Sequence, residues 1–287
     1  MCAENHSATH WYRVGEIHKS KTRKDYYGGK VACEVGGAGI GGGSGCVPGT
    51  ISISGGFIEA DGGINAAGIG SGDYASCGAI TISGGTVNVT ADTGAKKIGN
   101  GRDGYGKASS VTITGGAVYP ALAQVSPAPT NSASKAVFPV DFEIGEATNK
   151  VTSLTLSGAL SGYSYGVNDA YTDANGNLRV WLPATSGVAF MAKVVMASGN
   201  TYYFSFDIDD KGNVSVRGYL VVNDGVVASN VDNSGSGWSF AKDTGVVTIS
   251  ADAVVQGFST NGEYRIVVPS ASSASTVTLK NLTLVGP

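Results

Sequence analysis

Gly39-Ile40-Gly41-Gly42-Gly43 is followed by Thr50-Ile51-Ser52-Ile53-Ser54-Gly55-Gly56, and both stretches return twice. The first recurs as Gly68-Ile69-Gly70-Ser71-Gly72 and as Ile98-Gly99-Asn100-Gly101, which sets Ile40, Ile69 and Ile98 29 residues apart. The second recurs as Ala79-Ile80-Thr81-Ile82-Ser83-Gly84-Gly85 and as Ser110-Val111-Thr112-Ile113-Thr114-Gly115-Gly116, at steps of 29 and 31. A third element follows each Gly-Gly pair: Phe57-Ile58-Glu59-Ala60, Thr86-Val87-Asn88-Val89, and Ala117-Val118-Tyr119. Within Thr50–Ser54 the two isoleucines share one face and the hydroxyl residues the other, as the period-two geometry of a strand requires. Glycine at the corners permits positive φ and hence sharp turns. A unit this small cannot bury its apolar face alone, whereas stacked units can, each pairing with the coil above and below. The repeat predicts a parallel β-helix with three short strands per ~30-residue coil. Ile40, Ile69 and Ile98 form one internal stack; Ile51, Ile80 and Val111, or Ile53, Ile82 and Ile113, form another. The competing reading is a β-sandwich with coincidental repeats.

Outward from this core the pattern changes. Residues 1–30 carry charges throughout and no continuous apolar run, and are expected to be a poorly ordered extension without a visible signal peptide. The coils are assigned to 31–120, and the Pro-, Ser- and Ala-rich stretch 121–136 to a linker or cap. Alternating apolar residues between Val137 and Val222 predict a small antiparallel β-sandwich over 137–222. Its hairpins are expected at Asn175-Gly176, in a tight turn with both central φ positive, and at Asp209–Asn213. From 223 to 287, Trp238–Phe240, Val246–Ile249, Tyr264–Val268 and Thr276–Leu284 read as the start of a second β-solenoid. The whole is an all-β chain that looks like a piece of a longer one.

Composition excludes several functions. Of 287 residues 44 are glycine, only 14% are charged, and the net charge is −3. That argues against a nucleic-acid binder, which is normally strongly basic. The clustered glycines do not follow the strict triplet period of collagen. No apolar run reaches the roughly 18–20 residues of a membrane span. Scarcity of Lys and Glu, with abundant Gly, Ser, Thr, Asn and Val, suits an extracellular or cell-surface location. Cys2, Cys33, Cys46 and Cys77 form no CxxC pair; stacked coils could bring Cys46 and Cys77 together, though buried free thiols are the plainer reading.

The glycine-isoleucine element followed by Thr50–Gly56, repeated near 30 residues, resembles the Gly-rich parallel β-helix repeats of large surface proteins from gut-dwelling bacteria. Tyr165-Gly166-Val167-Asn168-Asp169, Thr172–Asn177 and Val180–Pro183 are similar to a module that accompanies such repeats. Thr276–Leu284 resembles the opening of carbohydrate-binding β-helix domains. The resemblance implies an adhesin-like or carbohydrate-binding role.

Few motifs carry chemistry. Gly37–Gly42 satisfies the dinucleotide fingerprint, but no helix signal follows it. Cys2, His6 and His10 could share a helix face and hold a metal, yet a disordered terminus is the simpler reading. No histidine follows His18, so a Ser-His-Asp triad is absent from the folded body. Asp173, Asn175 and Asn177, and Asp207, Asp209, Asp210 and Asn213, resemble short calcium loops, with oxygen donors at alternate positions. Hairpin turns use the same residues. No other cofactor is indicated. The strands at Thr50, Ala79 and Ser110 carry no acids, while Glu59 and Asp61 are placed on or beside turns, so no catalysis is expected. Sugar rings stack on aromatic side chains, and Tyr163, Tyr165, Tyr171 and Trp181 cluster in one stretch as candidate glycan contacts. Ordinary strand packing competes with that reading. The expected function is non-catalytic glycan binding. The alternatives are a structural spacer or a fragment of a β-helix polysaccharide lyase or hydrolase.

Overall fold

The computed structural model describes residues 23–26, 29–32, 36–45, 49–102, 108–227, 233–259, 264–269 and 276–284. The histidines, Cys2, Cys33 and Cys46 lie outside these residues.

The first half is a parallel β-helix. Its strands are β1 (Arg23–Tyr26), β2 (Gly29–Ala32), β3 (Ile40–Gly41), β4 (Thr50–Asp61), β5 (Ile69–Gly70), β6 (Cys77–Thr90), β7 (Ile98–Gly99), β8 (Ala108–Val118) and β9 (Val125–Ser126). β4, β6 and β8 stack in parallel, each bending through two faces of its coil at the Gly-Gly pair, where the register slips. The third face is the ladder β3-β5-β7-β9. Ile40 pairs with Ile69, Ile69 with Ile98 and Ile98 with Val125, and all four are buried. Ile51, Ile80 and Val111 form a second dry column, and Ile53, Ile82 and Ile113 a third. The glycine after each isoleucine is required by the stacking. A Cβ on Gly70 would lie 2.1 Å from the Gly99 carbonyl oxygen, and one on Gly99 1.6 Å from that of Ser126.

The solenoid extends further at both ends than its repeat suggests. Residues 1–30 are not all outside the fold, because β1 pairs with Thr50–Ile53 and β2 with Ile58–Asp61, forming a coil ahead of the first glycine repeat. Those positions carry Arg, Lys and Asp, which hid the strand from a hydrophobic pattern. Likewise 121–136 is not a plain linker. Val125 is a fourth rung on Ile98, and Thr130 forms a parallel bridge to Thr112.

The sandwich follows. β10 (Val137–Glu143) pairs antiparallel with β12 (Asn177–Pro183). β11 (Val151–Gly158), β13 (Phe190–Met196), β14 (Thr201–Ile208) and β15 (Val214–Val216) form the facing antiparallel sheet. The hairpin expected across Asn175-Gly176 is therefore corrected: β12 takes β10 as its partner, and only Gly176 of the two turn residues has positive φ. Asp173 and Asp209 open loops of one geometry. In each, the Gly N–H donates back to the Asp carbonyl, and the Asp N–H donates to the closing Asn.

The final unit starts before residue 223. β16 (Tyr219–Val222), β17 (Gly225–Val227), β18 (Asn233–Gly235), β19 (Trp238–Ala241), β20 (Val246–Ile249), β21 (Ala253–Ser259), β22 (Arg265–Val267) and β23 (Val277–Leu284) form two sheets around their own core. β20–β22 and β21–β23 pair in parallel, as successive coils do, while β19 and β16 close the other side antiparallel.

Candidate functional site

A parallel β-helix ends in an edge strand whose N–H and C=O groups have no next coil to bond, an exposed template unless it is covered. Here the segment 121–136 and the sandwich after it cover β8. Thr130 exchanges hydrogen bonds with Ile113 and Val111, donating to the Val111 carbonyl and accepting from the Ile113 N–H, each 2.9 Å. The Trp181 Nε1–H donates to the Val118 carbonyl at 2.9 Å, and the Tyr165 hydroxyl to that of Gly116 at 2.8 Å. The solenoid and sandwich consequently share one hydrophobic core, running from Ile40 to Ile208.

A strap from the sandwich runs down the Gly-Gly corners. The second glycine of each pair has positive φ, +84° at Gly56, +94° at Gly85 and +89° at Gly116, and its N–H turns away from the coil ladder. Gly116 donates to the Gly166 carbonyl at 2.7 Å, Gly85 to that of Asn168 at 2.6 Å, and Gly56 to Asp169 Oδ2 at 3.0 Å. The first glycines leave room for the strap: a Cβ on Gly55 would lie 2.6 Å from Asn168 Nδ2. Lys150 pairs with Asp169 at 3.0 Å and holds that carboxyl below its usual range, helped by the Gly56 N–H.

Capping accounts for most of the aromatic cluster. Trp181 is fully buried together with Val180 and Leu182, because one face of β12 meets the sandwich core and the other the end of the solenoid. Its expected placement on a sugar-binding face is thus corrected. Tyr165 is also buried, with its hydroxyl between Gly116 and the Trp181 N–H, and burial pushes its phenol far above the ordinary value. Tyr163 is half-buried against the same core. Tyr171 is half-buried as well, but does not pack against that core. It meets Phe57 edge-on, with centroids 5.6 Å apart, and Lys150 Nζ sits 5.8 Å from its ring centre. Phe57, 43% exposed, was not expected as a contact. Its place beside Glu59 and Asp61 on the outward face of β4 becomes visible only once β4 is known to continue past Gly56.

The stretches expected as calcium loops both close as turns, the one at Asp173 leading into β12 and the one at Asp209 joining the antiparallel pair β14–β15. Asp173 Oδ1 accepts from the N–H groups of Asn175 and Asn177, at 2.9 and 2.8 Å. Asp209 Oδ1 accepts from Lys211 and Asn213 in the same way, and Oδ2 accepts from the Asn213 amide. Asp207 is buried and ion-pairs with Arg217. Among the described residues no group of three or more His, Cys, Asp or Glu is arranged to hold a metal.

The cavity lies where the sandwich meets the second face of the coils. A cleft of about 360 Å³ is lined by Asn88, Tyr119, Asp141, Glu143, Asp173, Asn177 and Arg179. A second, of about 410 Å³, shares Asn88 and Tyr119 and continues over Glu59, Asp61, Thr90 and Lys97. Glu59 and Asp61 project from β4 itself, not from turns. Three polar groups in the cleft are firmly placed. Arg179 grips Asp141 through two 2.7 Å bonds and donates to the Tyr119 carbonyl at 2.6 Å. The Tyr119 hydroxyl shares its hydrogen between the carbonyls of Tyr171 and Asn177, and burial holds its phenol protonated. Thr90 donates to Asp61. The cleft thus offers carboxylates held by fixed partners, with the exposed Phe57 ring farther along the same outward face of β4 as Glu59 and Asp61.

No family model, curated protein or solved structure matches the chain. Among the described residues no helix is long and apolar enough to cross a membrane.

Proposed function

We propose that the chain is a non-catalytic, adhesin-like carbohydrate-binding segment of a bacterial surface protein, with its glycan seated along the cleft between coils and sandwich. The observation that carries this reading is the exposed Phe57 ring, packed edge-on against Tyr171 and set on the same outward face of β4 as Glu59 and Asp61, which line the cleft. Rings stack on the C–H faces of sugars, and Asn88, Asn177 and the carboxylates accept or donate to hydroxyls. The resemblance of the glycine repeat to bacterial surface β-helices supports an extracellular setting. A non-catalytic role is supported by the fixed partners of Asp61 and Asp141, which hold them as structural acceptors. The test is glycan-array binding followed by titration calorimetry. Phe57→Ala and Tyr171→Ala are each expected to weaken a bound glycan about tenfold, the value of one lost aromatic contact. Release of reducing ends or unsaturated uronides would point instead to an enzyme.

A second reading is a rigid spacer. It is favoured by the continuous core from the coils into the sandwich, which couples the two into one stiff unit. Failure of the whole array to bind would support it.

A further inference from the structure

The cleft is unevenly charged. Its two parts, joined at Asn88 and Tyr119, are lined by Glu143 and Asp173 in the first and by Glu59 and Asp61 in the second. Of the two cations lining it, the Arg179 guanidinium is already committed to a fifth carboxylate, Asp141; Lys97, together with Lys30 of β2 in register with Glu59, is left against four acids. The imbalance is not spread over the molecule, whose total net charge is only −3 across 287 residues. It is set in a concave site, where low-dielectric walls concentrate the field of the lining charges. The acids come from different parts of the chain: two from the outward face of β4, one from the end of β10, and one from the loop before β12. Antiparallel pairing of Glu143 with Asn177 and the closed turn at Asp173 hold two of them in place.

From this we infer that the cleft selects by charge: it takes saccharides with neutral or amino-bearing rings and rejects those carrying carboxylate or sulfate groups. The inference rests on the glycan-binding reading above and narrows it to a substrate class. A uronate carboxylate entering the cleft meets like charges at contact range, and its binding is expected to be at least about tenfold weaker than that of the matching neutral sugar at low salt. An ammonium group on the sugar ring meets attraction in the same place. Because partly exposed charges are screened over about 8–10 Å at physiological salt, the discrimination shrinks as salt is raised.

The experiment uses the full chain on an array holding matched neutral, C6-oxidised, sulfated and amino-sugar oligosaccharides, read at low and high salt. The inference predicts binding confined to neutral and amino members at low salt. It also predicts that a Glu59→Gln/Glu143→Gln double variant gains at least about fivefold for the C6-oxidised partner of the best neutral ligand. These positions are on the surface, so circular dichroism of the variant should match the parent. Preference for uronate or sulfated members, or a double variant with unchanged discrimination, overturns the charge rule and leaves glycan binding standing. Binding to no member of any class overturns glycan binding itself, and this rule with it.

Discussion

Replacing Trp181 by alanine separates an end-capping role from a ligand-binding one. The indole is fully buried, and its Nε1–H supplies the hydrogen bond that the Val118 carbonyl would receive from a next coil. Truncating a fully buried Trp costs roughly 3–5 kcal/mol in lost burial and cavity. Stranding a buried carbonyl adds roughly 1–3 kcal/mol. Part of that second loss is recoverable if water enters the cavity, so a total of about 4–6 kcal/mol is expected. Whole domains are stable by only about 5–15 kcal/mol, so this is a large fraction. Trp181→Phe keeps most of the ring but not the donor, and should lose about 1–3 kcal/mol. Urea denaturation followed by far-UV circular dichroism gives both values, free of the fluorescence change caused by removing the tryptophan. Hydrogen exchange localises the effect: the amides of Ile113 and Gly116, bonded to Thr130 and Gly166, should lose protection in Trp181→Ala before those of β4. Stability within about 1 kcal/mol of the parent, with protection of β8 unchanged, would refute the capping role and restore Trp181 as a candidate contact.

Three further outcomes follow from the same geometry. Gly99→Ala places a Cβ 1.6 Å from the Ser126 carbonyl oxygen and should cost more than about 3 kcal/mol, whereas Gly187→Ala, with open space around it, should cost only about 1–2 kcal/mol for its positive φ; paired urea midpoints check this. Cys77 is a buried free thiol whose pKa burial raises to about 11, so at neutral pH iodoacetamide should leave it unmodified in the folded chain and label it in urea, as read by peptide mass spectrometry. The Glu146 carboxyl is lowered to about 2 by hydrogen bonds, first from the Tyr202 hydroxyl and also from the Asn200 and Asn149 amides. Its folded value lies below the unfolded one, so its stabilisation is complete above about pH 4.5 and is lost as pH falls toward 2. Glu146→Gln should flatten that acid limb of a stability-versus-pH curve, and an unchanged limb would remove Glu146 from the account.

The solenoid was legible because its requirements repeat. An inward isoleucine and a glycine with no room for a Cβ must recur at each coil, and Ile40, Ile69 and Ile98 report that directly. The terminal rungs were illegible for the complementary reason. At β9 the isoleucine becomes Val125 and the glycine Ser126, since fewer coils press on it from above. At β1 the backbone pairing persists with charged residues. Trp181 reads as a glycan contact in the sequence because a strand packed on both faces and a strand with a ligand face have the same alternation. Val180-Trp181-Leu182 fits either, and only the position of β12 against the end of β8 decides between them. Phe57, Asn88 and Tyr119 carry no local signal. They come together because stacking brings side chains about 30 residues apart onto one surface.

That difference has a consequence for where function can reside in such a chain. Inward positions and corner glycines are dictated by stacking, and at the last coil the capping segment is dictated as well: Gly166, Asn168 and Asp169 must meet three successive corner amides, and Tyr165 and Trp181 must meet the carbonyls of β8. Little freedom remains in those residues to adapt to a ligand. Outward positions on the second face beyond the strap are constrained only to be strand-compatible, and they vary from coil to coil, as Glu59 and Asp61 beside Asn88 and Thr90 illustrate, whereas Thr86, in register with Phe57, is buried and bonded to the strap at Asp169 and Tyr171. Docking the cap over one end then turns this otherwise flat face into the wall of a cleft, with Asp141, Glu143 and Asp173 supplying the opposite side. The rigid, over-determined part of the molecule therefore positions the variable part, and changes of ligand preference should be obtainable at Phe57, Glu59 and Asn88 at little cost to the coils. Substitutions at the strap should instead disturb binding only by loosening the fold.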